Sequence, residues 1–323
     1  MTLFRRTALA GLLASTATGL ARAADFPSRP MNWIVPFPPG GSNDIFARPV
    51  AAFVGQRLGE PVVVENRGGA GGTIGGMTAA RAKPDGCTLL VVNPSLTFAS
   101  IVYAESGFDL MRDFAPVSGM AQVPVALVVN PAKVAAKDLA GFLAMARKQP
   151  GVINIGSSGL GTIPHMAIVL LQQRTGIQLT HVPYRGGGPA ITDYVAGRID
   201  IYWDAIAPLK PWVEKGNIKP LAVTSALRSF DLPQVPTVIE AGMPDLNVFT
   251  WTALFAPAGT PGEITAKLET EMNKGLQDSQ VQETFEKNGY ELFRGSSAAV
   301  TDLIRNDLAK WQAVVKATGV KPD

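Results

Sequence analysis

The chain repeats one local pattern, in which a short apolar run ends in a loop rich in glycine and serine and a helical stretch follows. In the first unit, the apolar run 32–35 leads through the loop 36–44 into a helix from about 45 to 58. Further apolar runs lie at 61–65 and 87–92. Strands that alternate with helices in this way are typical of parallel sheets with helices on their faces, so the sequence predicts an α/β fold.

The second half of the chain uses the same construction. After a strand at 125–130, strands are predicted at 152–156, 177–182 and 199–203, and a helix from 164 to 175 is closed by a glycine. A chain of 323 residues with 46% hydrophobic residues can bury more than one core. Two similar halves therefore predict two domains.

Three loops share one chemical feature, which is that a glycine-rich segment opens a helix. They span residues 38–44, 157–162 and 184–189. The start of a helix leaves backbone N–H groups without partners and carries about half a positive charge, so it attracts anions. If the halves are separate lobes, a ligand with a carboxylate at each end would be held between them. The alternative is that glycine and serine only form the turns, and for any single loop that alternative is favoured. Three such loops together, in a neutral exported protein without catalytic motifs, favour binding.

The N-terminal segment predicts export. Arg5 and Arg6 precede an uncharged stretch from Thr7 to Ala21, and small residues flank Arg22 in Ala-Arg-Ala, which is typical of a signal peptide removed after Ala23. Removal of three arginines changes 29 basic against 26 acidic residues to 26 against 26. A mature chain without net charge lacks the excess of basic residues with which proteins bind nucleic acid or an anionic membrane. Because the signal peptide predicts export, we expect the protein in the periplasm.

Motifs for cofactors, metals and phosphate are missing from the sequence. Cys87 is the only cysteine and His165 and His181 are the only histidines, too few for a metal cluster of these ligands. The spacing of a dinucleotide-binding loop fails after Gly71, because residue 74 is isoleucine. We therefore expect no cofactor, no metal and no catalytic residues.

An exported serine hydrolase is the competing class. The nucleophile elbow G-x-S-x-G fails at Ser158, because Leu160 takes the place of its last glycine. A triad of Ser158, His165 and Asp204 nevertheless stays open, since triads assemble in space and not in sequence.

Several polar residues of the loops carry two interpretations. Asp44 is either an ordinary acidic residue of a first helical turn or an acceptor that faces the ligand. Asp204 ends a strand at a position where the crevice residues of open sheets lie, which favours a functional role. Arg185 is the one cation in these loops, and solvation is favoured over a carboxylate clamp. For His165, in a first helical turn, a neutral hydrogen-bonding role is favoured, and for His181 a packed role.

Several of these segments carry a family resemblance. The run VPFPPGGSND at 35–44, the segments 64–72 and 157–159 with His165, and the run HVPYRGG at 181–187 resemble the Bug family. These proteins are the extracytoplasmic solute receptors of tripartite tricarboxylate transporters. Further similar segments, among them 221–225 and 256–261, extend the resemblance over essentially the whole mature chain.

The resemblance implies a two-lobed periplasmic binding protein of type II character. Each lobe would be a sheet flanked by helices, with strands crossing between the lobes. Lobe 1 is expected to comprise 24–123 and 252–323, and lobe 2 to comprise 124–251. The implied ligand is a small carboxylate, which is a di- or tricarboxylate, an aromatic acid or an acidic amino acid. The implied partners are the membrane subunits of a tripartite carrier, and the receptor is expected to be a monomer. A sensor for a membrane signalling protein would need the same closure, so it stays an alternative.

The resemblance also implies the residues of the site, which come from the loops at the ends of the strands. We expect ligand contacts from Ser42, Asn43, Asp44, Ser95, Ser157, Ser158, Gly159, Gly161, Thr162, Tyr184 and Asp204. The chain departs from the pattern at two positions. Pro49 lies inside the first helix, where relatives usually carry an aliphatic residue. An interior proline costs about 3 kcal/mol and kinks a helix, so the start of this helix is expected to be angled differently. Cys87 also departs from the pattern, and we expect it to be buried and unpaired.

Overall fold

The structure is a computed structural model that describes residues 26–40, 42–102, 107–184, 186–287 and 289–318. The expected signal peptide with its cleavage after Ala23 lies outside the described residues, and so does Arg185. Over the described ranges, no helix has both the length and the apolar character needed to cross a membrane.

Ten strands and ten α-helices are found in the described part of the chain. The strands are β1 (Met31–Val35), β2 (Val62–Asn66), β3 (Thr88–Val92), β4 (Phe114–Val129), β5 (Asn154–Ser157), β6 (Thr180–Pro183), β7 (Ile201–Ala205), β8 (Lys219–Val223), β9 (Phe249–Pro257) and β10 (Glu291–Leu292). The helices are α1 (Ser42–Leu58), α2 (Thr73–Ala80), α3 (Pro94–Val102), α4 (Leu139–Lys148), α5 (Ile163–Thr175), α6 (Gly187–Val195), α7 (Ile206–Glu214), α8 (Gly262–Gly275), α9 (Ser279–Lys287) and α10 (Ser297–Thr318).

One long strand, β4, joins two sheets. It pairs with β9 from Phe114 to Pro124 and with β7 from Val125 to Val129. The first sheet has the order β2-β1-β3-β9-β4, and the second continues from β4 through β7 and β5 to β6. The predicted two-lobed α/β fold with a crossing strand is thereby confirmed. The change of partner falls beside the expected boundary between residues 123 and 124, and the exact lobe boundaries stay a prediction.

The directions of the strands decide where a site can form. In the first sheet, β1 runs parallel to β2 and β3, while β9 is antiparallel to both β3 and β4, so β4 runs in the same direction as β3. In the second sheet, β7 and β8 run antiparallel to β4, and β5 runs parallel to β6 and β7. The carboxyl ends of the two sets of strands therefore face each other across the crossing of β4. Ligands of open α/β sheets bind outside these ends.

Each sheet has its own apolar core. Trp33, Phe46 and Val91 are fully buried or nearly so in the first, and Phe142 and Trp203 in the second. The helix α1 continues through Pro49, which is flanked by the buried Val50, so the proline does not end it. A different angle of its start stays a prediction. Cys87 is buried and free, as expected.

The sequence analysis missed α3, α7, β8 and β10 and began β4 too late, at residue 125. The pairing of β4 with β9 is irregular beside Pro116 and again near Gly119, where the register shifts. Such irregularities remove the alternation of apolar and polar residues by which a strand is identified in a sequence.

Candidate functional site

The residues expected to bind ligand come from loops that lie at the facing carboxyl ends of the strands. The loop after β1 leads into α1, that after β3 into α3, that after β5 into α5, and that after β6 into α6. The two sides also touch directly. The ring of Phe98 in α3 is buried in the core of the second sheet, and a β-carbon on Gly161 would stand 2.9 Å from its Cδ1 atom. The structure thus brings Ser95 of α3 and the loop after β5 into one region.

Asp44 organises the loop between β1 and α1. Its carboxylate is buried and accepts hydrogen bonds from the Gly40 N–H at 3.0 Å, from Arg48 Nη2 at 2.7 Å and from Asn66 Nδ2 at 3.0 Å. Burial acts to raise the pKa of this carboxyl, but the hydrogen bonds and the guanidinium outweigh it and hold the pKa below its ordinary value. Asp44 is therefore ionised and engaged with the protein, and its contact with ligand stays a prediction.

Asn43 connects the same loop to the crossing region. Its side chain is buried, and its Oδ1 atom accepts a hydrogen bond of 3.0 Å from Thr252 Oγ1 on β9. No described residue accepts a bond from its Nδ2 group, and the contact of Asn43 with ligand stays a prediction. The backbone of Ser42 begins α1, and its side chain lies outside the part of the structure that is described.

The side chains of the loop after β5 hold the loop itself. Ser157 is fully buried, with its Oγ atom 2.7 Å from His181 Nε2, and it accepts a bond of 3.2 Å from the Gly159 N–H. Thr162 Oγ1 donates to the Gly159 carbonyl at 2.7 Å. These bonds engage the hydroxyls of Ser157 and Thr162, and the N–H groups of Gly159, Gly161 and Thr162 are also bonded within the protein. Among the described residues, no partner is found for the N–H groups of Ser158, Leu160 and Ile163, which are therefore the ones that this loop could offer an anion. Direct contacts from its side chains stay a prediction.

The helix α5 starts beside this loop without a side-chain cap on its first turn. Pro164, in that first turn, brings no N–H group, and Gly161 before it has the left-handed φ of 71°. An uncapped start leaves the positive end of the helix dipole without a counter-charge from the protein. The predicted anion-binding character of this loop is consistent with that geometry.

Asp204 lies at the end of β7, under the start of α6. Its carboxylate accepts hydrogen bonds from the Tyr202 hydroxyl and, at 2.8 Å, from the Ala205 N–H. Gly187 packs on it so closely that a β-carbon there would stand 3.0 Å from Oδ2. Burial raises the pKa of Asp204 to about 6, although the two donors act in the opposite direction. Nearby, the Tyr184 hydroxyl donates to Asp193 Oδ2 at 3.0 Å.

His165 and His181 form a stacked pair behind the loop after β5. Their ring centroids are 4.4 Å apart and their planes differ by 8°. Burial lowers the pKa of each to about 4, and for His165 the neighbouring ring contributes to the lowering. Both imidazoles are therefore neutral at neutral pH. The sequence showed each histidine separately but carried no signal for their contact, because they lie in different elements.

The geometry does not assemble the hydrolase triad. Ser158 Oγ donates to Thr162 Oγ1 at 3.4 Å, and His165 Nδ1 accepts from the Gly161 N–H at 3.1 Å. Among the described residues, neither side chain is hydrogen-bonded to Asp204. A serine and a histidine do meet at Ser157 and His181, but this serine is inaccessible, and an imidazole with a pKa of about 4 is a weak base at neutral pH.

Sequence reasoning missed three residues of this region. Arg48 neutralises Asp44, and Thr252 anchors Asn43. Ser225 follows β8, whose carboxyl end lies at the same edge as that of β7, and its Oγ atom is buried without a partner in the described part of the chain. A signal for Ser225 existed, since 221–225 belongs to the family resemblance, but no strand was assigned there.

Comparison with known proteins shows that this chain is similar to solute receptors. The family model of the tripartite tricarboxylate transporter family receptor matches residues 46–320. Three solved structures are similar over nearly their whole length. MatC from Rhodopseudomonas palustris, with bound malate, is 32% identical with a TM-score of 0.81, over 90% of this chain and 100% of that one. Rpa4515 from R. palustris, with adipate, is 32% identical with a TM-score of 0.82, over 93% and 100%. The periplasmic binding protein BugD is 31% identical with a TM-score of 0.81, over 92% and 100%.

Proposed function

Because this chain belongs to the tripartite tricarboxylate transporter receptor family, we propose that it captures a small dicarboxylate in the periplasm and delivers it to a tripartite membrane carrier. The observation that carries the proposal is the placement of glycine-rich helix starts on both facing edges of the sheets, with α5 uncapped. Two similar proteins hold dicarboxylates, malate in one and adipate in the other. A ligand with two negative ends suits two such edges.

The proposed mechanism is binding without chemistry. One carboxylate would accept hydrogen bonds from the start of α1 and from Asn43 Nδ2, and the other from the N–H groups of Ser158, Leu160 and Ile163, for which no partner is found among the described residues. A ligand that bridges both edges binds the closed arrangement more tightly than an open one, and this difference in affinity shifts the population towards closure. The closed form is then the one that the membrane subunits recognise. The mature receptor would begin after Ala23 and act as a monomer.

Calorimetry on the mature chain tests the proposal. We would titrate it with malate, adipate, citrate, glutamate and benzoate at low ionic strength. The expected result is a saturable heat with one site for at least one diacid. The monomethyl ester of that diacid is the matched control, because it removes the charge at one end only. Two-ended capture predicts that the ester binds at least tenfold more weakly. The absence of saturable heat with every acid would contradict the proposal.

A further inference from the structure

The only two histidines of the chain meet behind the loop after β5, although they belong to different elements. His165 lies in the first turn of α5 and His181 in β6. Their rings are nearly parallel, with centroids 4.4 Å apart. His165 is buried, at 7% exposure, and His181 is partly buried.

Each ring bonds a different part of the same loop. His181 Nε2 lies 2.7 Å from Ser157 Oγ, at the end of β5. His165 Nδ1 accepts the Gly161 N–H at 3.1 Å, just before α5 begins. Between these points, Gly159 N–H donates to Ser157 Oγ at 3.2 Å. The two stacked rings thus form hydrogen bonds with both ends of the segment 157–161.

This arrangement requires an uncharged ring at His165. A protonated imidazole donates from both nitrogens, and its Nδ1–H would then oppose the Gly161 N–H. Acceptance at Nδ1 therefore assigns the proton of His165 to Nε2. Burial favours the uncharged form for both rings, because charging either one would bring a charge into the interior and near the other ring.

We propose that the His165–His181 pair is a positioning unit, in which the neutral stacked rings set the conformation of residues 157–162 and so the affinity of the site, without contact with the ligand. The inference rests on the proposed function for its consequence on affinity. Ordinary packing would need only two flat rings, whereas positioning needs the acceptor at Nδ1 of residue 165. If the pair only packs, a substitution at residue 165 must retain a flat ring, and if the pair positions the loop, the substitution must retain a hydrogen-bond acceptor.

Two substitutions at one position separate them. His165→Asn retains an acceptor, because Oδ1 of asparagine takes the place of Nδ1, but it removes the ring. His165→Phe retains a ring for stacking but removes the acceptor. We expect His165→Phe to weaken the binding of the diacid found by calorimetry by about tenfold, as the loss of one buried hydrogen bond predicts. His165→Asn should bind within about threefold of wild type. Diacid binding by His165→Phe at wild-type affinity would overturn the proposal.

A second measurement does not depend on a ligand. In ¹⁵N-labelled wild type, long-range proton–nitrogen correlation should place the His165 proton on Nε2 and show Nδ1 unprotonated at pH 7. A proton on Nδ1 would overturn the proposal even if neither variant folds. Exchange of the Gly161 amide should be slow in wild type and His165→Asn and faster in His165→Phe, and equal rates in folded variants would also overturn it. If wild type binds no acid, the proposed function fails, while these NMR results still decide whether the pair holds the loop.

Discussion

Phe98 packs against Gly161, so that a β-carbon on the glycine would lie 2.9 Å from the phenylalanine Cδ1 atom. Phe98 belongs to α3, which follows the first sheet, and Gly161 belongs to a loop of the second. Gly161 also has a φ of 71°, in the left-handed region. Two separate physical reasons therefore require glycine at this position, one steric and one conformational.

Gly161→Ala should destabilise the protein more than the same change at a matched glycine. Gly151 has nearly the same φ, 73°, but a β-carbon there would meet nothing within 4 Å. We expect about 1 kcal/mol for Gly151→Ala from the left-handed backbone alone. For Gly161→Ala we expect about 2–4 kcal/mol, because overpacking against Phe98 is added. Urea unfolding measures both, and equal losses would show that the contact with Phe98 is unimportant.

Asp44→Asn should loosen the loop that leads into α1. The change removes the ion pair between the buried Asp44 and the half-exposed Arg48, and it leaves the Gly40 N–H and Asn66 without a charged acceptor. We expect a loss of about 2 kcal/mol in the free energy of unfolding and weaker binding of the diacid. Glu283→Gln is the control, since Glu283 pairs with Lys287 at the same helical spacing but on an exposed surface. The control should be indistinguishable from wild type, and an equal effect of both changes would contradict the role of Asp44.

Adjacent glycines at the start of α6 should tolerate alanine differently. A β-carbon on Gly187 would stand 3.0 Å from Asp204 Oδ2, whereas one on Gly188 would meet nothing within 4 Å. Gly188→Ala should be neutral or stabilise by up to about 1 kcal/mol, because alanine favours helix. Gly187→Ala should destabilise by about 1 kcal/mol through overpacking. Thermal unfolding compares the pair, and a gain for both variants would show that Asp204 is not closely covered.

The pH dependence of stability should reflect two opposing groups of residues. The pKa of His165 and of His181 falls from 6.5 to about 4 on folding, so the unfolded chain takes up protons first and stability decreases as the pH falls from 6.5 to 4. The pKa of Asp204 and of Asp307 rises from 3.8 to about 6, so the folded chain takes up protons first and stability increases as the pH falls from 6 to 3.8. The two effects oppose each other, and wild type should show a shallow dependence between pH 6.5 and about 5. Below that range, carboxyls with a lowered pKa, such as Asp44, should cause stability to fall.

Asp307→Asn tests this balance. Asparagine keeps an acceptor for Trp251 Nε1, which donates to Asp307 Oδ2 at 2.7 Å, but it cannot take up a proton. The free energy of unfolding of the variant should therefore fall more steeply between pH 6 and pH 4 than that of wild type, by up to about 1.4 kcal/mol per pH unit. Denaturant unfolding at three pH values measures the slope. A slope equal to that of wild type would contradict the raised pKa.

The repeated strand, loop and helix units were sufficient to predict an α/β fold with two domains, because their signals are local. The two-lobed arrangement with crossing strands was implied by the family resemblance. The helix α3 was missed, although Asn93 before it accepts a bond from the Leu96 N–H and Pro94 stands at its first position, which are local helix-start signals. The irregular first half of β4 gave no such signal. The loops of the site face each other because of the directions of the strands in the two sheets. The sequence indicates these directions only indirectly, through the order of strands and helices.

The details of the site depend on contacts between distant residues. His165 was predicted to form a neutral hydrogen bond, and the structure shows one, but its partner ring at His181 arrives from another element. The sequence left two roles open for Asp44, an ordinary acidic residue of a first helical turn or an acceptor that faces the ligand. The structure shows that Arg48 and Asn66 donate hydrogen bonds to its carboxylate. Such long-range pairings are set by packing of the whole chain, and they leave no periodic pattern.

A crystal structure of the mature protein with the diacid found by calorimetry tests the central claim most directly. The account predicts one carboxylate within about 3.2 Å of the backbone N–H groups of Ser158, Leu160 or Ile163 and the other beside the start of α1 and Asn43 Nδ2, with the acid unchanged. Density for the diacid elsewhere on the surface, with these three N–H groups bonded to the protein itself, would contradict it.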